Sequence, residues 1–293
     1  MDLNEFTFMV RDSIGDYLSS YDVEDVYERE IVKNNGVRYM GIVITLKGRD
    51  AAPTIYMDYY YGLYKRGKSL EEIMKLIYNN YKASVDRLEL TEKEAGNLED
   101  YGDKLFIKVI NYEKNKARLE DCPYIPFLDM AITFRYLVHM DEKDVSSAMV
   151  KNSLLDIWGL NTHKIYKIAY ENTRKLFPPV IKKMSDILRA NAPKGIYIPE
   201  NDMYILTNEC GINGASYITY KELLDDFCKE RQRPYYIIPS SIHELILIPK
   251  DLGQDEEVLK MFIKGVNETT VPKTDYLSDN LYIYSPEEGI KII

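Results

Sequence analysis

The sequence YYIIPSSIHELILIPK at residues 235–250 contains two short apolar runs on either side of a polar turn. Residues 235–238 and 245–248 have the length, composition and flanking prolines that are typical of buried strands. Residues 239–244 begin with proline and are mostly polar, as in a tight connection. The pattern predicts a β-hairpin in the protein core.

Helical and strand patterns alternate along the rest of the chain. Apolar residues recur at helical spacing in residues 4–19, 69–81, 162–174, 219–231 and 255–266. Strands are predicted at residues 24–33, 38–46, 53–57, 105–110, 203–207 and 281–284. Residues 127–138 are predicted as a strand, with a helix as the competing interpretation, and residues 181–189 as a short helix.

The order of these elements indicates the fold class. The sequence has no long β-α-β series and no G-x-G-x-x-G turn. It therefore favours an α+β fold, in which short, largely antiparallel sheets pack against amphipathic helices.

Residues 1–100 form a first predicted region with the order α-β-β-β-α. Asn4 is expected to cap the first helix, and Asn34-Asn35-Gly36 supplies residues that tolerate a positive φ between two paired strands. Ser69 and Glu72 match a capping box. The charged residues 83–103 are predicted to be a solvent-facing helix or connector that leads into a larger α+β region, residues 101–293, which contains the hairpin.

The charge and hydropathy patterns exclude several classes of protein. The 293 residues include 47 acidic and 38 basic side chains, a formal net charge of −9. An acidic chain repels phosphate backbones, and no run of basic residues offsets this, so nucleic-acid binding is disfavoured. No apolar run reaches the roughly 20 residues that span a bilayer, and the acidic N-terminus does not resemble a signal peptide. We therefore expect a cytoplasmic protein without a membrane segment.

The sequence also lacks the spacing of a metal centre or a disulfide framework. Cys122, Cys210 and Cys228 form neither a C-x-x-C pair nor a His/Cys cluster, and they are expected to be reduced thiols. Asp275, Asp279 and Asn280 carry oxygen ligands, but not in the order of a calcium loop. We expect no metal and no cofactor.

Four stretches resemble one known family. They are residues 235–249 (YYIIPSSIHELILIP), 277–284 (LSDNLYIY), 127–134 (FLDMAITF) and 53–56 (PTIY). Together they are similar to a bacterial family called domain of unknown function 5688, found in anaerobic gut Gram-positive bacteria, and the similarity extends over most of the chain. The resemblance implies a cytoplasmic bacterial protein; it implies no activity, cofactor or catalytic residue.

The turn of the 235–250 hairpin contains the first candidate site. Ser240, Ser241, His243 and Glu244 combine hydroxyls, a side chain that titrates near neutral pH and a carboxylate. On a strand, Ser241 and His243 could share a face, whereas His243 and Glu244 could not. No G-x-S-x-G or H-E-x-x-H motif is present. The alternative interpretation is structural, with these side chains satisfying backbone groups of the turn.

A tyrosine-rich run, YMDYYYGLY, is the second candidate. Its aromatic rings could stack on bases or pack on a partner protein; they belong to Tyr56, Tyr59, Tyr60, Tyr61 and Tyr64. The chain contains 26 tyrosines and 8 phenylalanines, so tyrosine is also its usual core aromatic. Packing within the fold is therefore the alternative.

Two functions are consistent with these patterns. The first is a non-catalytic binding protein that captures a protein partner or associates with itself, since the sequence shows no convergent acid–base set and no cofactor loop. The alternative is a hydrolase-type enzyme centred on Ser241 and His243, with a carboxylate from elsewhere in the chain. The enzyme requires His243 to reach a hydroxyl in a pocket, whereas the binding protein requires an exposed apolar or tyrosine-rich patch.

Overall fold

A computed structural model describes residues 1–49, 52–91, 98–141 and 145–293 of the chain. The chain divides into two compact units, Met1–Ala95 and Gly96–Ile293. Both contain helices and antiparallel sheets, and the predicted α+β fold is confirmed. Among the described helices, none is long and apolar enough to cross a bilayer.

The smaller unit packs its helices on a three-stranded antiparallel sheet. In chain order its elements are α1 (Leu3–Ile14), β1 (Val23–Val32), β2 (Arg38–Leu46), β3 (Thr54–Tyr56), α2 (Met57–Lys65) and α3 (Leu70–Thr91). The central strand is β2, which pairs with both β1 and β3. Its buried residues Ile42 and Ile44 contact a core formed with Phe6 of α1 and Ile73 of α3.

Local sequence signals account for the ends of these elements. Asn35 and Gly36 adopt φ angles of 60° and 69° in the β1–β2 connection, as their sequence predicts. The Ser69 amide donates to Glu72 at 2.9 Å, which confirms the capping box of α3. The cap predicted at Asn4 is wrong, because Asp2 and Glu5 form a reciprocal capping box and the helix begins at Leu3.

The predicted connector at residues 83–103 is partly helical. Its first part belongs to α3, which ends at Thr91, and α4 (Leu98–Tyr101) lies near its end. Residues 92–97 are outside the described part of the chain.

The larger unit contains two antiparallel sheets. The elements of its first half are α4, β4 (Leu105–Asn111), α5 (Lys116–Leu119), β5 (Tyr124–Phe127), β6 (Met130–Met140), β7 (Val145–Met149), α6 (Asn152–Ile157) and α7 (Thr162–Leu176). Those of its second half are β8 (Pro179–Lys183), α8 (Met184–Asn191), β9 (Tyr204–Asn208), α9 (Lys221–Arg231), β10 (Tyr235–Pro239), β11 (Leu245–Pro249), α10 (Glu256–Thr269), β12 (Tyr282–Ser285) and β13 (Gly289–Ile292).

The predicted hairpin lies in the middle of the six-stranded sheet, whose order is β13-β12-β10-β11-β9-β8. Ile237 of β10 lies opposite Leu247 of β11, and both are buried. Strand β13 at one edge is not predicted from the sequence. At the other edge, the helix predicted at residues 181–189 is wrong over its first residues, because β8 pairs with β9 there and α8 begins only at Met184.

The four-stranded sheet is built around β6. Strands β4 and β5 pair with β6, and β7 pairs with its C-terminal part. The strand interpretation of residues 127–138 is confirmed, although a turn interrupts it, where Leu128 has a φ of 56°. The other edge of β4 is closed by side chains, since the amides of Ile107 and Val109 donate to Thr173 and Ser216 at 3.0 and 3.1 Å.

Candidate functional site

The turn between β10 and β11 is held by hydrogen bonds inside and outside the turn. The Ser240 hydroxyl donates to Glu244 at 3.3 Å, and Ser241 Oγ accepts from the His243 amide at 3.0 Å. The buried Ile242 donates its amide to the carbonyl of Asp275 at 2.8 Å. Both serines and Glu244 are therefore used in the structure of the turn itself.

The imidazole of His243 lies between a backbone amide and a carboxylate. Its Nδ1 accepts from the amide of Asn213 at 3.2 Å, and its Nε2 lies 3.7 Å from Oδ1 of Asp275. The bond to Nδ1 places the proton of the neutral ring on Nε2, toward Asp275. Burial lowers the pKa of His243, and the charge of Asp275 partly opposes this.

The turn does not bring a serine hydroxyl to the ring. Within the described residues, the Ser241 hydroxyl accepts from the backbone amide of His243. The imidazole of His243 accepts from the amide of Asn213 instead. The carboxylate nearest to the ring comes from Asp275, which the sequence offered only as a weak cation ligand. These contacts agree with the interpretation in which the side chains satisfy backbone groups of the turn. Catalysis at Ser241 and His243 stays a prediction.

We expect the His243 ring to titrate at a lower pH than an exposed histidine. The folded ring binds a proton less readily than the ring in the unfolded chain. The free energy of unfolding of wild type should therefore fall relative to that of His243→Gln as the pH drops from about 6.5 to the lowered pKa of the folded protein. NMR titration of the ring protons measures this, with the signals of His139 and His163 distinguished by their persistence in His243→Gln. A midpoint at or above that of a model peptide would contradict the burial argument.

The tyrosine-rich run lies on β3 and α2 and is largely packed. Tyr60 is buried and its hydroxyl accepts from Asn80 at 2.6 Å. The rings of Tyr61 and Tyr64 lie 5.6 and 5.4 Å from that of Phe6. Tyr56 packs against Tyr39, with ring centroids 5.8 Å apart.

Of the five tyrosines, Tyr59 alone keeps a largely exposed ring, 61% accessible. A larger exposed apolar patch lies on α10, where Val258, Met261 and Phe262 are 55%, 67% and 60% accessible. The side chains that α10 buries are Leu259 and Ile263.

The oxygen ligands considered for a cation do not converge. Asp279 accepts from Asn267 at 2.8 Å, while Asn280 donates to Asp129 at 2.9 Å. Among the residues that the structure describes, no group of three or more His, Cys, Asp or Glu side chains could hold a metal ion.

A set of basic residues that the sequence analysis missed lies on and beside the four-stranded sheet. We call Lys108 of β4, Arg118 of α5 and Arg135 of β6 the basic cluster. Residues opposite each other in an antiparallel pair share a face, and Lys108 lies opposite Thr133 while Phe106 lies opposite Arg135. Lys108 and Arg135 are therefore diagonal neighbours on one face of the sheet.

This face is the one turned away from the main core of the unit. The residues of β4 on the opposite face belong to that core; they are Leu105, Ile107 and Val109. On the face that carries Lys108, Phe106 packs with Leu137 and Phe177, and Ile110 packs with Leu119 and Ala131. The sequence of β4 thus places Lys108 between two small apolar groups, and Leu119 brings the neighbouring Arg118 to the same side.

The positive charges of the basic cluster are poorly compensated. All three side chains are partly buried. Desolvation is the first cause of the lowered pKa of each, and their mutual repulsion adds to it for Lys108 and Arg135. The pKa of Lys108 falls to about 7.

Few groups in the described chain offset these charges. Arg135 donates to the hydroxyl and carbonyl of Ser147, and no described side chain accepts a hydrogen bond from Lys108 or Arg118. For Lys108, the opposing carboxylate is Asp275, whose effect is smaller than those of desolvation and of the two arginines. A cavity of about 560 Å³ is lined in part by Leu119, Cys122 and Tyr124, and the three residues of the basic cluster are not part of its lining.

The basic cluster and the β10–β11 turn act on each other electrostatically. Lys108 is among the causes of the lowered pKa of His243, and Asp275 acts on both. The tertiary structure thus groups two arginines, a lysine, an imidazole and a carboxylate that are widely separated in the sequence. An isolated lysine in the apolar strand LFIKVIN was the one signal of this site that the sequence contained.

Comparison with known proteins identifies a family. A model of a family of unknown function (DUF5688) matches residues 3–286, nearly the whole chain, and the chain belongs to this family. No curated protein and no solved structure matches the chain.

Proposed function

We propose that this member of the family is a non-catalytic binding protein, and that its larger unit binds a small anion at the basic cluster. The observation that supports the proposal is the poorly compensated positive charge of Lys108, Arg118 and Arg135. Partly desolvated charges are normally paired with an opposite charge, because unpaired ones lower stability. A bound carboxylate or phosphate would supply the missing partner.

The side chains of the cluster suit a small anion. Guanidinium groups bind carboxylate and phosphate oxygens through two parallel hydrogen bonds, and an ammonium group adds a point charge. All three side chains are partly buried, and Lys108 and Arg135 lie on one sheet face, whereas a nucleic-acid backbone requires an exposed basic surface. Capture of a protein partner, self-association and a cytoplasmic location stay predictions.

Anion binding can be tested with inorganic phosphate and with pyruvate as probes. We expect either anion to raise the melting temperature of the wild type above that in chloride of equal ionic strength, by mass action. Calorimetric titration should show one site per chain, and Arg135→Gln should weaken binding by tenfold or more, since it removes a charged hydrogen-bond donor worth about 1.5–3 kcal/mol.

The matched control is Arg38→Gln, which removes an exposed arginine of the smaller unit that pairs with Glu30. This variant should bind the anions as the wild type does. Equal binding by wild type and Arg135→Gln, or no binding by the wild type at millimolar concentrations, would refute the proposed function.

A further inference from the structure

We propose that Lys108 is a nucleophilic amine that condenses with the carbonyl group of a small 2-oxo acid whose carboxylate is held by Arg118 and Arg135. The inference rests on the proposed anion binding and adds a covalent step to it. It makes the ligand class narrower, from small anions in general to compounds that carry a carbonyl group next to a carboxylate.

The position of Lys108 supports a reactive amine. Its neighbours along β4 on the same face are Phe106 and Ile110, which pack in separate apolar groups. No described side chain accepts a hydrogen bond from its amine, and no described carboxylate lies within ion-pair distance of it. A lysine that is desolvated and lies next to other cations is the environment in which an amine becomes a nucleophile at neutral pH.

The electrostatics of the cluster point in the same direction. Burial is the largest cause of the lowered pKa of Lys108, followed by the charges of Arg135 and Arg118, and the resulting value is about 7. At neutral pH a large fraction of the amine is therefore unprotonated, in contrast to a surface lysine with a pKa of about 10.4. The pair of electrons needed for attack on a carbonyl carbon is available.

The charge of the ligand decides between a 2-oxo acid and a phosphate ester. One carboxylate leaves a net positive charge on the two guanidinium groups, so Lys108 keeps part of the repulsion that lowers its pKa. A doubly charged phosphate would neutralise both guanidinium groups and favour the ammonium form. In a 2-oxo acid the carbonyl carbon is bonded to the carboxylate carbon, so the arginines that hold the carboxylate also position the reacting atom.

The step balances without an oxidant or reductant. The amine nitrogen forms a bond to the carbonyl carbon, one proton moves from nitrogen to oxygen, and a carbinolamine results. The oxygen then takes the second amine proton and leaves as water, while nitrogen and carbon form the imine double bond. Both proton transfers run between the amine nitrogen and the departing oxygen, so the step consumes no external acid or base.

Reductive trapping tests the inference. The 293-residue chain is incubated with pyruvate and sodium cyanoborohydride at pH 7, and the intact mass and the peptide masses are measured. We expect one reduced pyruvate adduct per chain, located on Lys108. Lys108→Arg should still bind pyruvate in calorimetric titration but form no adduct, and excess phosphate should suppress adduct formation in the wild type.

Lys164→Arg is the matched control, because Lys164 is exposed on α7 and should not contribute to the adduct. Binding of pyruvate without an adduct on Lys108 would overturn this inference and leave the proposed anion binding intact. Adducts spread over many surface lysines, at the same rate in Lys108→Arg, would also overturn it. Failure of pyruvate and phosphate to bind at all would refute both.

Discussion

Replacing Gly214 with alanine should destabilise the protein by about 3 kcal/mol or more, in the upper range for overpacking a core. A Cβ atom at this position would lie 2.5 Å from the carbonyl oxygen of His243 and from Oγ1 of Thr207, and 2.7 Å from the Thr207 Cα. Two of these three atoms belong to the backbone, so a rotamer change cannot relieve the overlap. The melting temperature should fall by about 6 °C or more.

The effect should also reach the imidazole of His243. Gly214 follows Asn213, whose amide donates to the ring, and the Thr207 hydroxyl donates to the His243 carbonyl at 2.8 Å. A shift of the 213–214 backbone would therefore weaken the contact that fixes the tautomer. A change in the ring chemical shifts of His243 in Gly214→Ala, at a temperature where the variant is folded, would report this displacement.

Gly265→Ala is the matched control for this substitution. Gly265 is exposed on α10, and a Cβ atom there would have no neighbour within 4 Å. Alanine should stabilise the helix by about 0.5–1 kcal/mol, because glycine loses more backbone entropy on folding. If Gly214→Ala were as stable as Gly265→Ala, the close approach of the 213–214 segment to the hairpin turn would be wrong.

Local signals predicted much of the fold from the sequence. The central hairpin was predicted because two buried runs flank a turn, and the β1–β2 hairpin because Asn35 and Gly36 tolerate positive φ. Helix ends were less accurate, since Asp2 and Asn4 are both good caps and only the pairing of Asp2 with Glu5 decides between them. Residues 181–183 form a strand because β9 provides a partner, which local propensity does not contain.

The candidate sites could be predicted less well, because they depend on contacts between distant residues. His243 receives Asn213 and Asp275 from other parts of the chain, so the neighbouring serines were a poor guide to its partners. The basic cluster was missed for the same reason. Its members lie in three different elements, and a scan for runs of basic residues finds no such arrangement.

The tyrosine-rich run shows the opposite case. Its composition is unusual in the sequence, yet Tyr60 is buried and Tyr61 and Tyr64 pack on Phe6. A cluster of aromatic residues indicates a site only if the rings stay exposed, and exposure is decided by the helix face on which each ring lies.

Lys108→Met should make the ligand-free protein more stable at pH 6 by about 1–3 kcal/mol. Methionine keeps an unbranched side chain between Phe106 and Ile110 and removes a charge that desolvation and two arginines disfavour. The full lowering of the pKa to about 7 would correspond to about 5 kcal/mol. Because Lys108 is only partly buried, solvent reduces this value.

The pH dependence of the stability difference between Lys108→Met and wild type shows whether the charge of Lys108 causes it. The pKa of Lys108 is about 7 in the folded protein and about 10.4 in the unfolded chain. Below pH 7 the lysine is charged in both states, so its burial lowers the stability of the folded protein in full. As the pH rises to about 10.4 the unfolded chain also loses the proton, and this loss of stability disappears. The advantage of Lys108→Met over wild type should therefore shrink across this range. Urea unfolding at several pH values, in buffers without multivalent anions, measures it.

The stabilisation by Lys108→Met should reverse when the anion site is filled. With phosphate bound, wild type gains a partner for its charges, whereas the variant has lost one of the three cations beside the anion. Lys164→Met, which removes an exposed charge on α7, should differ little from wild type at every pH. A Lys108→Met variant that is less stable than wild type at pH 6 would show that the amine of Lys108 is already compensated and that the cluster has no need of an anion.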